Sequence, residues 1–236
     1  GVWGIWDEPF FQFTQKKLSE EFAPFFATIF SVSSHAPFKI PTQYDGKFKE
    51  GYIQMHKCVQ YTDYAIKQFI SSSKNEPWFK NTLFVFTADH GNQSHYDLYK
   101  KTINRFATPI MFYAPGKSWG GNRFDLAQHM DIMPTIAQLI GYDKPIRSWG
   151  RSLISDEEPS LVVNYFGAGS FFFMNEKYIC IFNGTEATGF YGKDDYGLEK
   201  NLIEIRNEEM SFLEKKGKMF LQDSNNRILT GSLQAE

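Results

Sequence analysis

The spacing of apolar and polar positions divides this chain into two styles, with the change near residue 151. Before it, helical and strand periods alternate. From Phe11 to Phe22, aromatic residues mixed with Lys16, Lys17, Glu20 and Glu21 predict an amphipathic helix, and the apolar run Phe25 to Val32 predicts a strand. Tyr52 to Ile70 puts Met55, Val59, Ile66, Phe69 and Ile70 on one helical face, as a crossover helix would, leading to a short strand at Leu83 to Phe86. That strand reads as buried on both faces, the mark of a parallel sheet. A further strand is expected at Pro109 to Tyr113, ending at Ala114-Pro-Gly. A helix is expected from Asp131 to Ile140, closed by Gly141.

After Arg151 the apolar segments shorten and turns separate them: Ser160 to Tyr165, Ser170 to Met174, Tyr178 to Phe182 and Gly189 to Tyr191. Such spacing predicts an antiparallel sheet. A charged helix is expected from Leu198 to Lys216, followed by the polar tail DSNNRILTGSLQAE, which should fray. The reading is thus an α/β part over residues 1–155 and a small antiparallel α+β subdomain over 156–236.

Composition narrows the function classes. With 25 basic and 27 acidic residues the net charge is -2, which leaves no electrostatic footprint for nucleic acid and no polybasic membrane patch. Cys58 and Cys180 are too few for a disulfide framework, and neither has a second ligand at metal-binding spacing. No run approaches the roughly 20 apolar residues that span a bilayer. The opening GVWGIWDEPF lacks the plan of a signal peptide and reads as the middle of a longer protein.

Candidate chemistry concentrates in TLFVFTADHG, Thr82 to Gly91. In open α/β sheets ligands sit at the carboxyl ends of strands, and here a strand delivers Asp89 and His90 to that edge. A carboxylate beside an imidazole suits zinc or manganese better than calcium, and Gly91 allows a sharp turn. The plain alternative is that Asp89 caps a turn and His90 is a loop histidine.

Three further stretches supply context: SSHAPFKIP (33–41), ATPIMFYAPG (107–116) and QHMDIMPTIAQLIG (128–141). Together with TADHG, in this order and spacing, they resemble the sulfatase branch of the alkaline phosphatase superfamily, most closely its lipoteichoic acid synthase-like members. The likeness extends back to WGIWDEPFF and forward to GYDKPIRSWGRSLI. It implies a three-layer α/β sandwich around a mostly parallel sheet, with a small C-terminal antiparallel sheet and helix. It also implies that Asp89 and His90 ligate one divalent metal, with manganese or zinc favoured and calcium or magnesium as alternatives. His35 would contact the phosphate or sulfate group, where charge builds up during ester cleavage.

His95, His129 and Arg105 are candidates for lining the substrate cleft. Asp131, just ahead of an apolar helix with Pro134 in its first turn, reads instead as a helix cap. His56 reads as a solvated helix residue. NGT at Asn183 formally fits a glycosylation acceptor. The family mechanism needs a threonine, serine or modified cysteine nucleophile and an acidic ligand, both expected upstream of Gly1, so the isolated chain is expected to be inactive. The parent is expected to be extracytoplasmic and anchored in the cell membrane, acting on a phosphate or sulfate ester of a lipid head group or glycan. A phosphoglycerol transferase-like enzyme is favoured over an aryl or sugar sulfatase. A non-catalytic domain that binds an anionic glycan or lipid head group is the reading from another class.

Overall fold

The computed structural model describes residues 1, 3–155 and 161–233. Ser160 and the last three residues of the tail lie outside them. Two compact units form, one from Gly1–Lys100 with Arg105–Gly120, the other from Lys101–Asn104 with Gly121–Glu236.

In the first unit, helix α1 (Asp7–Ser19) carries Asp7 and Glu8 in its first turn and Lys16 and Lys17 in its last, matching the helix dipole at both ends. It packs on α2 (Met55–Ser73) through Phe11, Ala65 and Phe69. The buried face of α2 is Cys58, Tyr61, Ala65, Phe69 and Ser73, rotated from the face expected from the sequence, and Val59 is half exposed. Tyr61 causes the rotation: its ring is fully buried while its hydroxyl accepts a hydrogen bond from the Glu8 N–H at 3.2 Å. With the polar tip satisfied, a tyrosine occupies the core as readily as an isoleucine. Burial pushes the Tyr61 hydroxyl up to about 12.

Strand β1 (Phe84–Thr87) follows α2, then the single-turn helix α3 (Asp97–Lys100) and strand β2 (Ile110–Tyr113). The α/β character holds, but two details of the expected parallel unit do not. β1 pairs with β2 in antiparallel register, Phe84 opposite Tyr113 and Thr87 opposite Ile110. Residues 25–32 enter no ladder among the described residues, and Phe26 and Phe30 are exposed. An apolar run becomes a strand only where a neighbour pairs its N–H and C=O groups. Here the end of the run is held by a side chain: Asp7 Oδ1 accepts from the N–H groups of Val32 (3.2 Å) and Ser33 (3.0 Å). β1 is also half-buried, not covered on both faces.

In the second unit, α4 (Ile132–Leu139) ends at Gly141, whose φ of 73° is the left-handed value glycine supplies at a helix terminus. Strands β3 (Val162–Gly167), β4 (Ser170–Met174), β5 (Tyr178–Phe182) and β6 (Ala187–Gly192) form the expected antiparallel meander in chain order. Phe173, Cys180, Phe182 and Phe190 point from it into a core completed by Met210 and Leu213 of the last helix.

That helix, α5 (Glu208–Thr230), begins and ends later than the sequence pattern suggested. Residues 198–206 are held as turns because the Asp195 carboxylate accepts the N–H groups of Glu199 and Lys200. Asn207 then starts the helix, its side chain accepting the Met210 N–H at 2.9 Å. The expected frayed tail is helical to Thr230. Asp223 pairs with Arg227 at 2.7 Å and accepts the Trp149 indole N–H at 2.6 Å, and Gly231 closes the helix in the left-handed conformation.

Candidate functional site

β1 ends at Thr87, and two residues on the chain presents Asp89 and His90, with side chains 56% and 66% exposed. Asp89 Oδ1 accepts the backbone N–H of His90 at 2.9 Å. The His90 Nδ1 lies 2.7 Å from the Gly91 carbonyl oxygen. A carbonyl only accepts, so Nδ1 is the donor here, and in the neutral ring the lone pair is on Nε2. That Nε2 stands 3.5 Å from the other Asp89 oxygen, Oδ2. Two donors on one tetrahedral zinc-like ion, each about 2.1 Å from it, lie about 3.4 Å apart, so this pair has the separation a shared cation requires.

The donor chemistry and spacing therefore fit a divalent metal, but only as part of its shell. Among the described residues no three His, Cys, Asp or Glu side chains converge on one point. His35 and His95 do not complete the set.

Gly91 serves this edge by a different route from the sharp turn expected of it. A Cβ there would lie 2.7 Å from the carbonyl oxygen of Arg105, so only glycine lets the loop after β1 approach that backbone. Arg105 itself lies over the ring of Phe106, 4.8 Å from its centroid.

His35 repeats the arrangement of His90. Its Nδ1 is 2.9 Å from the Ala36 carbonyl, which also receives the Trp3 indole N–H at 2.6 Å, and Trp3 packs on the imidazole with centroids 4.5 Å apart. Again Nδ1 is the donor, and in the neutral ring the lone pair is on Nε2. His95 is half-buried, its ring lying flat on Tyr52, centroids 4.0 Å apart and planes 6° from parallel. His56 is not simply solvated: its Nδ1 accepts the Tyr52 N–H at 3.2 Å, and its ring neighbours Tyr96.

His129 belongs to the second unit, at the head of a short turn, His129–Asp131, that leads into α4. Asp131 is buried and structural, but it does not cap α4 as expected: its side chain makes no capping hydrogen bond to that helix and is spent on two other backbone amides. Its Oδ2 accepts the Gln128 N–H at 2.9 Å and its Oδ1 the Arg151 N–H at 3.0 Å, which ties QHMDIMPT to SWGRSL. Asn183 is a turn residue whose side-chain oxygen accepts the N–H groups of Thr185 and Glu186. Both cysteines are buried free thiols.

Sequence reasoning missed Asp7. It is fully buried, and beyond the Val32 and Ser33 amides it accepts the hydroxyls of Ser33 and Thr62, both at 2.7 Å. It anchors the segment that bears His35. The signal was an acidic residue opening α1 directly after two tryptophans, in WGIWDEP.

This architecture is that of the alkaline phosphatase superfamily. A superfamily member from Vibrio parahaemolyticus superposes on the whole chain, covering 57% of its own length, with TM-score 0.81 and 20% identity. The lipoteichoic acid synthase structure from Listeria monocytogenes matches 94% of this chain and 59% of that one, with TM-score 0.70 and 21% identity. The family model described as Sulfatase matches residues 1–142, and the chain belongs to the sulfatase family. Among curated relatives, lipoteichoic acid synthase 1 of Bacillus subtilis is 26% identical over 202 residues, which is 76% of this chain and 30% of that protein. The chain thus spans about a third of the length of that relative. No helix among the described residues is long and apolar enough to cross a membrane.

Proposed function

We propose that this chain contributes one edge of a metal-dependent phosphoryl-transfer site, in a phosphoglycerol transferase-like enzyme. The observation that carries the proposal is the Asp89 Oδ2 to His90 Nε2 separation of 3.5 Å at the end of β1. Its support is membership of the sulfatase family and likeness to proteins named lipoteichoic acid synthase. Asp89 and His90 would hold the ion, with the remaining ligands and the nucleophile (threonine, serine or cysteine) supplied by other segments of the protein. When bound, a divalent metal lowers the pKa of a hydroxyl nucleophile and offsets the charge of the ester oxygens.

The chain's own groups have distinct tasks in this reading. Asp89 neutralises charge at the edge of the sheet. The Gly91 carbonyl fixes the tautomer of His90 so that its lone pair is available. His35, held by the Ala36 carbonyl and the Trp3 ring, would contact the transferring group, and His95, stacked on Tyr52, and Arg105 are proposed as substrate contacts. His129 is proposed as a further contact. Nitrogen ligation favours manganese or zinc over calcium, and with them phosphoryl over sulfuryl esters. The site would face the exterior of the cell, with any membrane anchor lying outside this chain.

The test is made on the full-length protein, dialysed and analysed for metal, then assayed on bis(p-nitrophenyl) phosphate and p-nitrophenyl sulfate. Manganese or zinc with cleavage of the phosphodiester supports the proposal. Calcium with cleavage of the sulfate ester moves the assignment to an aryl or sugar sulfatase. Absence of both metal and turnover, with retained binding of an anionic glycan, sinks catalysis and leaves a binding domain.

A further inference from the structure

The second unit holds a cleft of about 640 Å³ that the proposed chemistry does not use. It lies between strands β3 to β5 and the second half of α5. Its origin is local. At Gly217 the helix backbone is pressed against the sheet so closely that a Cβ would meet the Phe173 ring at 2.2 Å, and the cleft begins at the next residue, Lys218.

Two kinds of group line it. The first is aromatic: Tyr165, Phe171 and Phe220. Their orientations are fixed, since Tyr165 stands edge-on to Phe171 with its hydroxyl accepting the Gly169 N–H at 3.1 Å, and Phe220 stands edge-on to Trp149. The second is neutral and polar: Ser224 and Asn225 of α5, whose side chains have no hydrogen-bond partner among the described residues.

The one cation among the described lining residues, Lys218, is already committed. Its Nζ lies 2.7 Å from the nearly buried Glu214, which Arg206 also pairs at 2.7 Å, so the cleft carries little free charge for an anion.

We propose that this cleft binds a neutral carbohydrate. A cleft of this size suits a ligand of a few sugar rings. Sugars present apolar C–H faces that pack on fixed aromatic rings, and hydroxyls that both donate and accept. A side-chain amide and a serine hydroxyl meet such hydroxyls in either sense. A phosphate-bearing ligand would instead need free cations here.

The test is calorimetric titration of the full-length protein with maltotriose, cellotriose and chitotriose, and separately with glycerol 1-phosphate. Saturable binding of at least one neutral trisaccharide is expected. The double variant S224A/N225A exchanges two residues on α5 for a better helix former, so the fold should hold. It should weaken that binding about tenfold, while Lys218→Gln changes it by less than about twofold. Titration with phosphatidylcholine vesicles displaying an alkyl glucoside separates the sources. Binding of the free sugar assigns a glycan chain; binding only on the vesicle assigns a glycolipid head group. No saturable binding in either form, binding indifferent to the double variant, or preference for glycerol 1-phosphate lost in Lys218→Gln overturns the proposal. Asp89→Ala should leave sugar binding unchanged, which keeps this test separate from that of the metal site.

Discussion

Asp7 and Asp89 are both aspartates of the first unit, placed to opposite ends. Asp7 is fully buried, and its carboxylate accepts from two amides and two hydroxyls within 3.2 Å. Asp89 is more than half exposed, spends one oxygen on its neighbour's N–H and leaves the other 3.5 Å from an imidazole lone pair. A carboxylate whose acceptor capacity is filled by the protein is scaffold. One whose capacity is left open beside another donor has room for a ligand, which is the role proposed for Asp89.

The comparison breaks most visibly through activity. In the full-length enzyme Asp89→Ala or His90→Ala should lower kcat/KM by at least about a thousandfold, while the melting temperature moves by no more than about 2 °C. Steady-state kinetics beside calorimetry reads both, and a large loss of stability would return Asp89 to the structural class. Asp7→Ala should do the reverse. It strands buried donors and should cost roughly 3–4 kcal/mol in denaturant unfolding, with metal content per folded molecule unchanged.

A third carboxylate sharpens the scale. Burial would raise the Glu214 carboxyl, but Lys218, the Ala187 N–H and Arg206 together hold it below 4.5. Because the folded value is depressed, its stabilisation is complete above the unfolded value near 4.5 and is lost as pH falls through the folded one. Glu214→Gln should cost about 1–3 kcal/mol at neutral pH and flatten that acid limb of the stability profile. The smallest effect is expected from Gly91→Ala. Pushing the loop off the Arg105 carbonyl should cost about 1 kcal/mol and loosen metal binding more than folding.

Legibility followed the reach of the interactions. The strands β3 to β6 were readable almost residue for residue, because alternation and local turns such as Asn183–Gly184 set them. Direction and pairing were not readable for β1, since β2 approaches it from more than 20 residues away. The run 25–32 read as a strand by apolarity alone, yet Asp7 fixes its end through contacts that no local pattern announces. In the same way the start of α5 turned on one Asn207 cap and one Asp195 turn, both outweighed in the sequence by surrounding charge. At the candidate site, ADHG and SSHAPF supplied the residues on which the proposal rests. The settings of His35 and His90 depend on backbone carbonyls, which have no letter in a sequence.

Those two carbonyls have a further consequence. The Nδ1 proton of each imidazole is fixed by the main chain of its own dipeptide, His35-Ala36 and His90-Gly91. Such an instruction has no second residue to lose. Neighbouring side chains can diverge between relatives without resetting either ring, so the chemistry can outlast most of the sequence around it.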